Sequence, residues 1–204
     1  MSGARPFVLG LTGSLGMGKS TAAKFFAEAG VPVHDSDAVV HALYEAEAAP
    51  LIEQAFPGST TAGKVDRTKL AAMVLNDKTA LARLEAIVHP LVGAAREKFL
   101  AEATARGAAV VLLDVPLLFE TGAHGLCDAV VVVSAPPEVQ RQRAFERPGM
   151  TDDKFTAILE KQMPDAEKRR RADFILDSSQ GFDQMRAQVR DILQSVAKMP
   201  PRQP

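Results

Sequence analysis

Residues 13–20 read Gly-Ser-Leu-Gly-Met-Gly-Lys-Ser, directly after an apolar run at residues 7–11 and at the mouth of a helical-period segment at residues 19–29. A buried strand, a glycine-rich turn and a helix in immediate succession make the entry unit of an open α/β sheet. The octet fits G-x-x-x-x-G-K-[ST], and each residue type has a physical reason. Glycines let backbone N–H groups curl around phosphate oxygens, and the helix adds its positive end. Lys19 can reach β- and γ-phosphates, and the Ser20 hydroxyl can ligate Mg²⁺. Gly13, Gly16, Met17, Gly18, Lys19, Ser20 and Thr21 are therefore the candidate nucleotide-binding residues, set against the plainer reading of a structural glycine-rich turn.

Four further apolar runs read as strands, at residues 31–33, 110–115, 129–133 and 174–176. Those at 110–115 (VVLLDV) and 129–133 (AVVVV) are nearly continuous, as expected of parallel strands covered on both faces. Helical periods recur at 38–47, 67–75, 79–87, 92–105, 138–146, 152–162 and 182–196. His89-Pro90 is read as the end of the helix at 79–87, because the residue before proline is pushed out of the α region. Residues 37–106 show helices and no convincing strand, which predicts a helical insertion after the second strand. Residues 137–168, with a Pro148-Gly149 turn, form a candidate lid. The expected organisation is a core of residues 7–36, 107–136 and 169–196, the insertion at 37–106, the lid at 137–168 and a disordered tail at 197–204.

Composition narrows the function classes. At 204 residues with 47% hydrophobic side chains, the chain can bury a core without disulfides or structural metal. Its 24 Lys and Arg against 25 Asp and Glu give a net charge of −1, which argues against a nucleic-acid or membrane-surface binder. No apolar run approaches the length of a membrane span, and residues 1–6 do not read as a secretory signal. The single Cys127 fits a reduced cytoplasm.

Several other positions carry chemistry. His34-Asp35-Ser36-Asp37 follows the second strand, where open α/β sheets bind ligands. Asp35 is read as a candidate general base toward a substrate hydroxyl, and Asp37 mainly as the N-cap of a helix starting at Ala38. Asp114 ends an aliphatic run and is either the acidic partner of the phosphate loop or a strand terminator. Arg141, Arg143 and Arg147 have helical spacing, with Arg143 and Arg147 four apart; they either neutralise phosphoryl charge or form a solvated face. The run Lys168 to Arg171 reads as the basic carboxyl end of a helix. Cys127, His41 and His124 show no metal-ligand or triad spacing.

Taken in order, Gly10 to Thr21, Val33 to Asp37, Val65-Asp66-Arg67, Ile87-Val88-His89-Pro90-Leu91, Asp114 to Glu120 and Gln140 to Arg143 resemble the dephospho-CoA kinase family over most of the chain. The resemblance implies an α/β P-loop fold of three layers, with a five-stranded parallel sheet, a helical acceptor-binding insertion and a helical lid. It implies transfer of the ATP γ-phosphoryl group to the ribose 3′-hydroxyl of dephospho-CoA, with Mg²⁺ held at Ser20. It assigns Lys19, Asp35 and Arg143 to catalysis and Arg143 and Arg147 to ATP. Arg67, His89, Pro90, Asp114 and Leu117 join Asp35 on the acceptor side. Departures from the family pattern are Ser14, Leu15 and Met17 in the loop, His34 and Ser36 around Asp35, and Asp177-Ser178-Ser179-Gln180-Gly181, where an Asn before Gly is usual. The expected state is a cytoplasmic monomer or weak homo-oligomer with neither nucleic-acid nor membrane partners. Alternatives are another small-molecule kinase of the same fold, or a non-catalytic nucleotide switch; the latter lacks a guanine-reading Asn-Lys-x-Asp run.

Overall fold

Aliphatic runs without polar alternation leave a strand no side that can face water, so they belong at the centre of a sheet. In the computed structural model, which describes residues 5–75 and 77–202, this is where they lie. The elements run β1 (Phe7–Thr12), α1 (Lys19–Glu28), β2 (Val33–Asp35), α2 (Ser36–Glu45), α3 (Ala48–Ala55), β3 (Thr60–Thr61), β4 (Lys64–Val65), α4 (Arg67–Val74) and α5 (Lys78–Ala105). They continue with β5 (Val110–Asp114), a 3₁₀ turn (Ala123–Leu126), β6 (Ala129–Ser134), α6 (Pro137–Phe145), α7 (Asp152–Leu159), α8 (Asp165–Arg171), β7 (Phe174–Asp177) and α9 (Phe182–Val196). The expected five-stranded sheet is present in the order β2-β5-β1-β6-β7, with β1 parallel to β5 and β6, and β6 parallel to β7. The chain forms two compact units, Met1–His34 with Ala103–Pro204, and Asp35–Glu102.

In the first unit every residue of β1 and β6 is buried. Leu9 and Leu11 of β1 and Val131 and Val133 of β6 pack with Phe25 and Phe26 of α1 and with Met185, Val189, Ile192 and Val196 of α9. The α9 residues recur three and four apart, so one stripe of the helix faces the sheet. Each such side chain contributes about 2 kcal/mol of burial. The strand order reverses around β1, which places the turn after it at the switch point where α/β sheets bind ligands.

A polar clasp closes this unit at the opposite ends of the strands. Asp128 accepts from both Nη atoms of Arg5 at 2.8 and 2.7 Å, from the Val8 N–H at 2.7 Å and from the Arg202 N–H at 2.7 Å. Arg5 also donates to the Arg202 carbonyl at 2.6 Å. Burial pushes the Asp128 carboxyl upward, but Arg5 and the two backbone donors outweigh it and hold the group below its ordinary value. The tail expected to be disordered is therefore bonded as far as Arg202, while residues 203 and 204, like residues 1–4 of the amino-terminal reading, lie outside the described residues.

The second unit differs from the sequence reading in four places. A short helix, α3, follows α2 where no separate helix was expected. A two-residue turn, Ala62 at φ 53° and Gly63 at φ 77°, joins β3 and β4 into a small hairpin in a region read as strandless. Two-residue strands carry no measurable period, and Ala-Gly is a weaker turn signal than Asn-Gly. Pro90 does not end a helix, since α5 runs through it for 28 residues. Ala80, Leu84 and Val88, spaced four apart, are buried with Leu91 and Val92 in one cluster. Continuing that apolar face outweighs one missing backbone donor at an exposed position. Finally, α2 begins at Ser36 and its N-cap is Asp35 rather than Asp37. Among the described residues no helix is long and apolar enough to cross a membrane.

Candidate active site

The turn after β1 is shaped by glycine at three positions. A Cβ on Gly13 would lie 2.8 Å from the Val133 carbonyl oxygen, and one on Gly16 would lie 2.5 Å from that of Gln140. Gly16 and Gly18 have φ of 79° and 85°, the left-handed region that side chains avoid. Ser14 needs no such freedom, because Ala62 is the only non-glycine residue with positive φ among the described residues. The Met17 N–H donates to the Ser14 carbonyl at 3.1 Å and the Thr21 N–H to the Gly18 carbonyl at 3.1 Å, so these two donors are committed inside the loop. The N–H groups of Gly16, Gly18, Lys19 and Ser20 have no acceptor among the described residues. Four free donors at the start of α1 are a ready phosphate cradle.

Lys19 Nζ donates to Asp114 Oδ1 at 2.5 Å, with side-chain exposures of 16% and 4%. Asp114, at the end of β5, is thus the acidic partner of the loop lysine. Arg143 on α6 also reaches the loop. Its Nη1 donates to Ser178 Oγ at 2.7 Å and its Nη2 to the Ser178 carbonyl at 2.8 Å. Ser178 Oγ in turn donates to the Met17 carbonyl at 2.8 Å. A Cβ on Gly18 would lie 3.5 Å from Arg143 Nη1, so the guanidinium stands beside the loop.

The other two arginines of residues 141–147 behave differently. Arg141 pairs with Asp152 and lies over the rings of Phe145 and Phe155 at 4.5 and 5.8 Å, joining α6 to α7. Because α6 ends at Phe145, Arg147 lies beyond it, and the helical spacing that placed it on one face with Arg143 does not hold. The run Lys168 to Arg171 lies in the last turn of α8, as read, and Lys168 is in addition fully buried, donating to Glu120 Oε1 at 3.0 Å. Burial pushes the Glu120 carboxyl upward, yet the Met163 N–H and the Lys168 ammonium hold it below the usual carboxylate range. Leu117 is exposed in the segment after β5, and its carbonyl accepts from the Thr121 N–H at 3.0 Å.

In the second unit, Asp35 Oδ1 accepts from the N–H groups of Asp37 and Ala38 at 2.9 and 3.0 Å, and Oδ2 takes no hydrogen bond among the described residues. Arg67 begins α4 and sits 5.6 Å from the centre of the Tyr44 ring. Burial pushes the Tyr44 hydroxyl above its ordinary value, with Arg67 opposing. Arg67, Tyr44 and Asp37 line a cavity of about 530 Å³ whose remaining walls are aliphatic. His89 and Pro90 are exposed on α5 and do not line it.

The structure thus brings Gly13, Gly16, Met17, Gly18, Lys19, Asp114 and Arg143 together, and joins Arg67 with Asp37. Sequence reasoning missed Ser178, Gln140 and Gln162 as loop contacts. Gln140 stood in one of the motifs of the family resemblance and Ser178 in a segment that departs from the family pattern, while Gln162 left no trace.

The family model for dephospho-CoA kinase (CoaE) matches residues 7–184. A dephospho-CoA kinase of Bradyrhizobium diazoefficiens is 62% identical over 195 residues, covering 96% of this chain and 98% of its own. The crystal structure of TT1252 from Thermus thermophilus superimposes with a TM-score of 0.82 at 33% identity, over 94% of this chain and 98% of that one. The dephospho-CoA kinase of Campylobacter jejuni shares the fold, with a TM-score of 0.66 at 24% identity over 96% of this chain and all of its own. With the family model matched over residues 7–184 and a relative 62% identical over 96% of the chain, the chain belongs to the dephospho-CoA kinase family.

Proposed function

We propose that this chain transfers the γ-phosphoryl group of ATP to the ribose 3′-hydroxyl of dephospho-CoA, giving coenzyme A and ADP. The observation that carries the reading is the phosphate loop with four unpaired N–H donors, Lys19 against Asp114, and Arg143 beside Gly18. Those donors bind the polyphosphate, and Lys19 and Arg143 neutralise charge on the transferring group. Gly13 and Met17 shape the cradle, Thr21 closes the first turn of α1, and Arg147 is a further ATP contact.

Asp35 serves as the base. Its Oδ1 is fixed by two capping bonds, and Oδ2 remains to receive the hydroxyl proton as oxygen attacks the γ-phosphorus and the bond to the β-phosphate oxygen breaks. The cavity lined by Arg67 and Tyr44 is the natural place for part of the acceptor, with His89, Pro90, Asp114 and Leu117 as further acceptor-side residues. In this reading Asp35–Glu102 is the acceptor domain and residues 137–168 the lid.

The Ser20 hydroxyl has no partner among the described residues, and Asp114 ends the neighbouring strand, so these oxygens fit Mg²⁺, which takes one or two protein oxygens beside phosphates and water. Bound there, the ion would spread phosphate charge. Every group named belongs to one chain, so a monomer or weak homo-oligomer suffices. The buried Cys127 thiol, in no disulfide among the described residues, fits a reducing cytoplasm.

The test is mass-spectrometric detection of coenzyme A from dephospho-CoA and MgATP, with Lys19→Ala as the blank. Product from the wild type and none from the blank is expected. No product with dephospho-CoA, but product with another hydroxyl acceptor, would overturn the substrate assignment.

A further inference from the structure

The phosphate loop is gripped by two glutamines that lie far from it in sequence. The Leu15 N–H donates to Gln162 Oε1 at 3.1 Å, and the Leu15 carbonyl accepts from Gln140 Nε2 at 2.8 Å. Both backbone polar groups of one loop residue are therefore occupied by side chains from opposite ends of the 140–162 segment. Gln140 makes a second contact, since its own carbonyl oxygen is the atom that would meet a Cβ on Gly16 at 2.5 Å. The residue types suit the task. A buried Gln140 can donate without bringing a charge beside a phosphate site, and Gln162 can accept without the negative charge a glutamate would add.

The neighbouring loop residue is held by other means. Met17 is buried, its Sδ accepts from the Ala135 N–H at 3.2 Å, and its carbonyl is held by Ser178. Leu15 and Met17 flank Gly16, whose φ of 79° lies in the left-handed region. Fixing both neighbours restricts Gly16 without a side chain of its own, and removes ordering that ligand binding would otherwise have to supply.

We propose that Gln140 and Gln162 are positioning residues of the phosphate loop, holding Leu15 and Gly16 so that the N–H groups of Gly16, Gly18, Lys19 and Ser20 are arranged for the polyphosphate of the donor nucleotide. The proposal rests on the phosphotransfer reading above. Neither glutamine touches the reacting atoms, so their loss acts on nucleotide affinity before it acts on turnover.

The test uses the full chain with Gln140→Met, Gln162→Met and the double variant, methionine matching glutamine in length while removing the amide. MgATP affinity is measured by calorimetry, KM for each substrate by steady-state kinetics, and Tm by circular dichroism. One neutral hydrogen bond corresponds to roughly fivefold in affinity. Each single variant is expected to bind MgATP about fivefold more weakly and the double variant about tenfold to thirtyfold, with the acceptor KM within about twofold of wild type. If the buried Gln140→Met does not fold, Gln162→Met alone decides. MgATP affinity within twofold of wild type in the double variant, or in that single one, overturns the positioning role. So does a parallel rise in both substrates' KM values with a fall in Tm, which marks a merely structural role. A wild type that does not bind MgATP overturns the phosphotransfer reading and this proposal with it.

Discussion

Ser178→Ala removes one oxygen that serves two partners. The hydroxyl donates to the Met17 carbonyl at 2.8 Å and accepts from Arg143 Nη1 at 2.7 Å, on a residue only 2% exposed. Without it, the Met17 carbonyl loses its only hydrogen bond among the described residues, a loss of about 1–3 kcal/mol for a buried group. Arg143 is half-buried and keeps its second bond, to the Ser178 carbonyl, so its share is smaller, about 0.5–1 kcal/mol. The sum, about 1.5–4 kcal/mol, lowers Tm by roughly 3–16 °C in a chain of this size. Function is affected separately: a guanidinium held by one bond rather than two wanders from the phosphate site. A loss near 1.4 kcal/mol in transition-state stabilisation is about tenfold in kcat/KM for ATP. Calorimetric melts and kinetics with ATP varied at saturating acceptor check both figures. A Tm within about 1 °C of wild type together with kcat/KM within twofold would refute the bridge as the device that orients Arg143.

Two other perturbations separate roles that overlap in one residue. Asp35→Asn keeps a side chain that caps α2 as well as aspartate does but removes the base, so unfolding by urea should be unchanged while kcat falls about 10²–10⁴-fold with ATP affinity retained; near-normal turnover would exclude Asp35 as the base. Asp128 has its carboxyl held below the ordinary value, so its contribution to stability is full above the unfolded carboxylate range, near pH 4, and is lost as pH falls through the lower folded value. Asp128→Asn should therefore cost about 2–3 kcal/mol at pH 7, and the gap to wild type should narrow below about pH 4; a gap independent of pH would show that charge is not what the clasp uses.

The loop, the sheet and the family were legible because their signals are local. Gly16 and Gly18 sit where left-handed backbone is required, and β1 and β6 carry apolar residues on both faces. What was not legible depends on partners distant in sequence. Nothing within ten residues of Ser178 or Gln162 marks either as a partner of the loop, from which they are separated by 161 and 147 positions. Lys168 was legible as part of a basic helix end, but its burial was not, because its partner Glu120 lies 48 positions earlier by their numbers. Pro90 shows the converse error, where a correct local rule is overridden by the packing of Val88 and Leu91 on either side. The cap fell to Asp35 rather than Asp37 because α2 begins at Ser36, two residues before its expected start at Ala38, so Asp35 caps with Oδ1 and leaves Oδ2 unbonded among the described residues.

The clasp at Asp128 has a consequence for the chain as a line. Arg5 and Arg202 are bonded to each other across 197 positions, so the described backbone comes back at residue 202 to the place it occupied at residue 5. Closing that gap covalently with a short peptide would ask little of the folded state, while withdrawing from the unfolded chain roughly 5 kcal/mol of the freedom it gains by letting its ends part. Where the thread is cut matters less to this fold than that residues 5 and 202 meet at Asp128, beside the starts of β1 and β6.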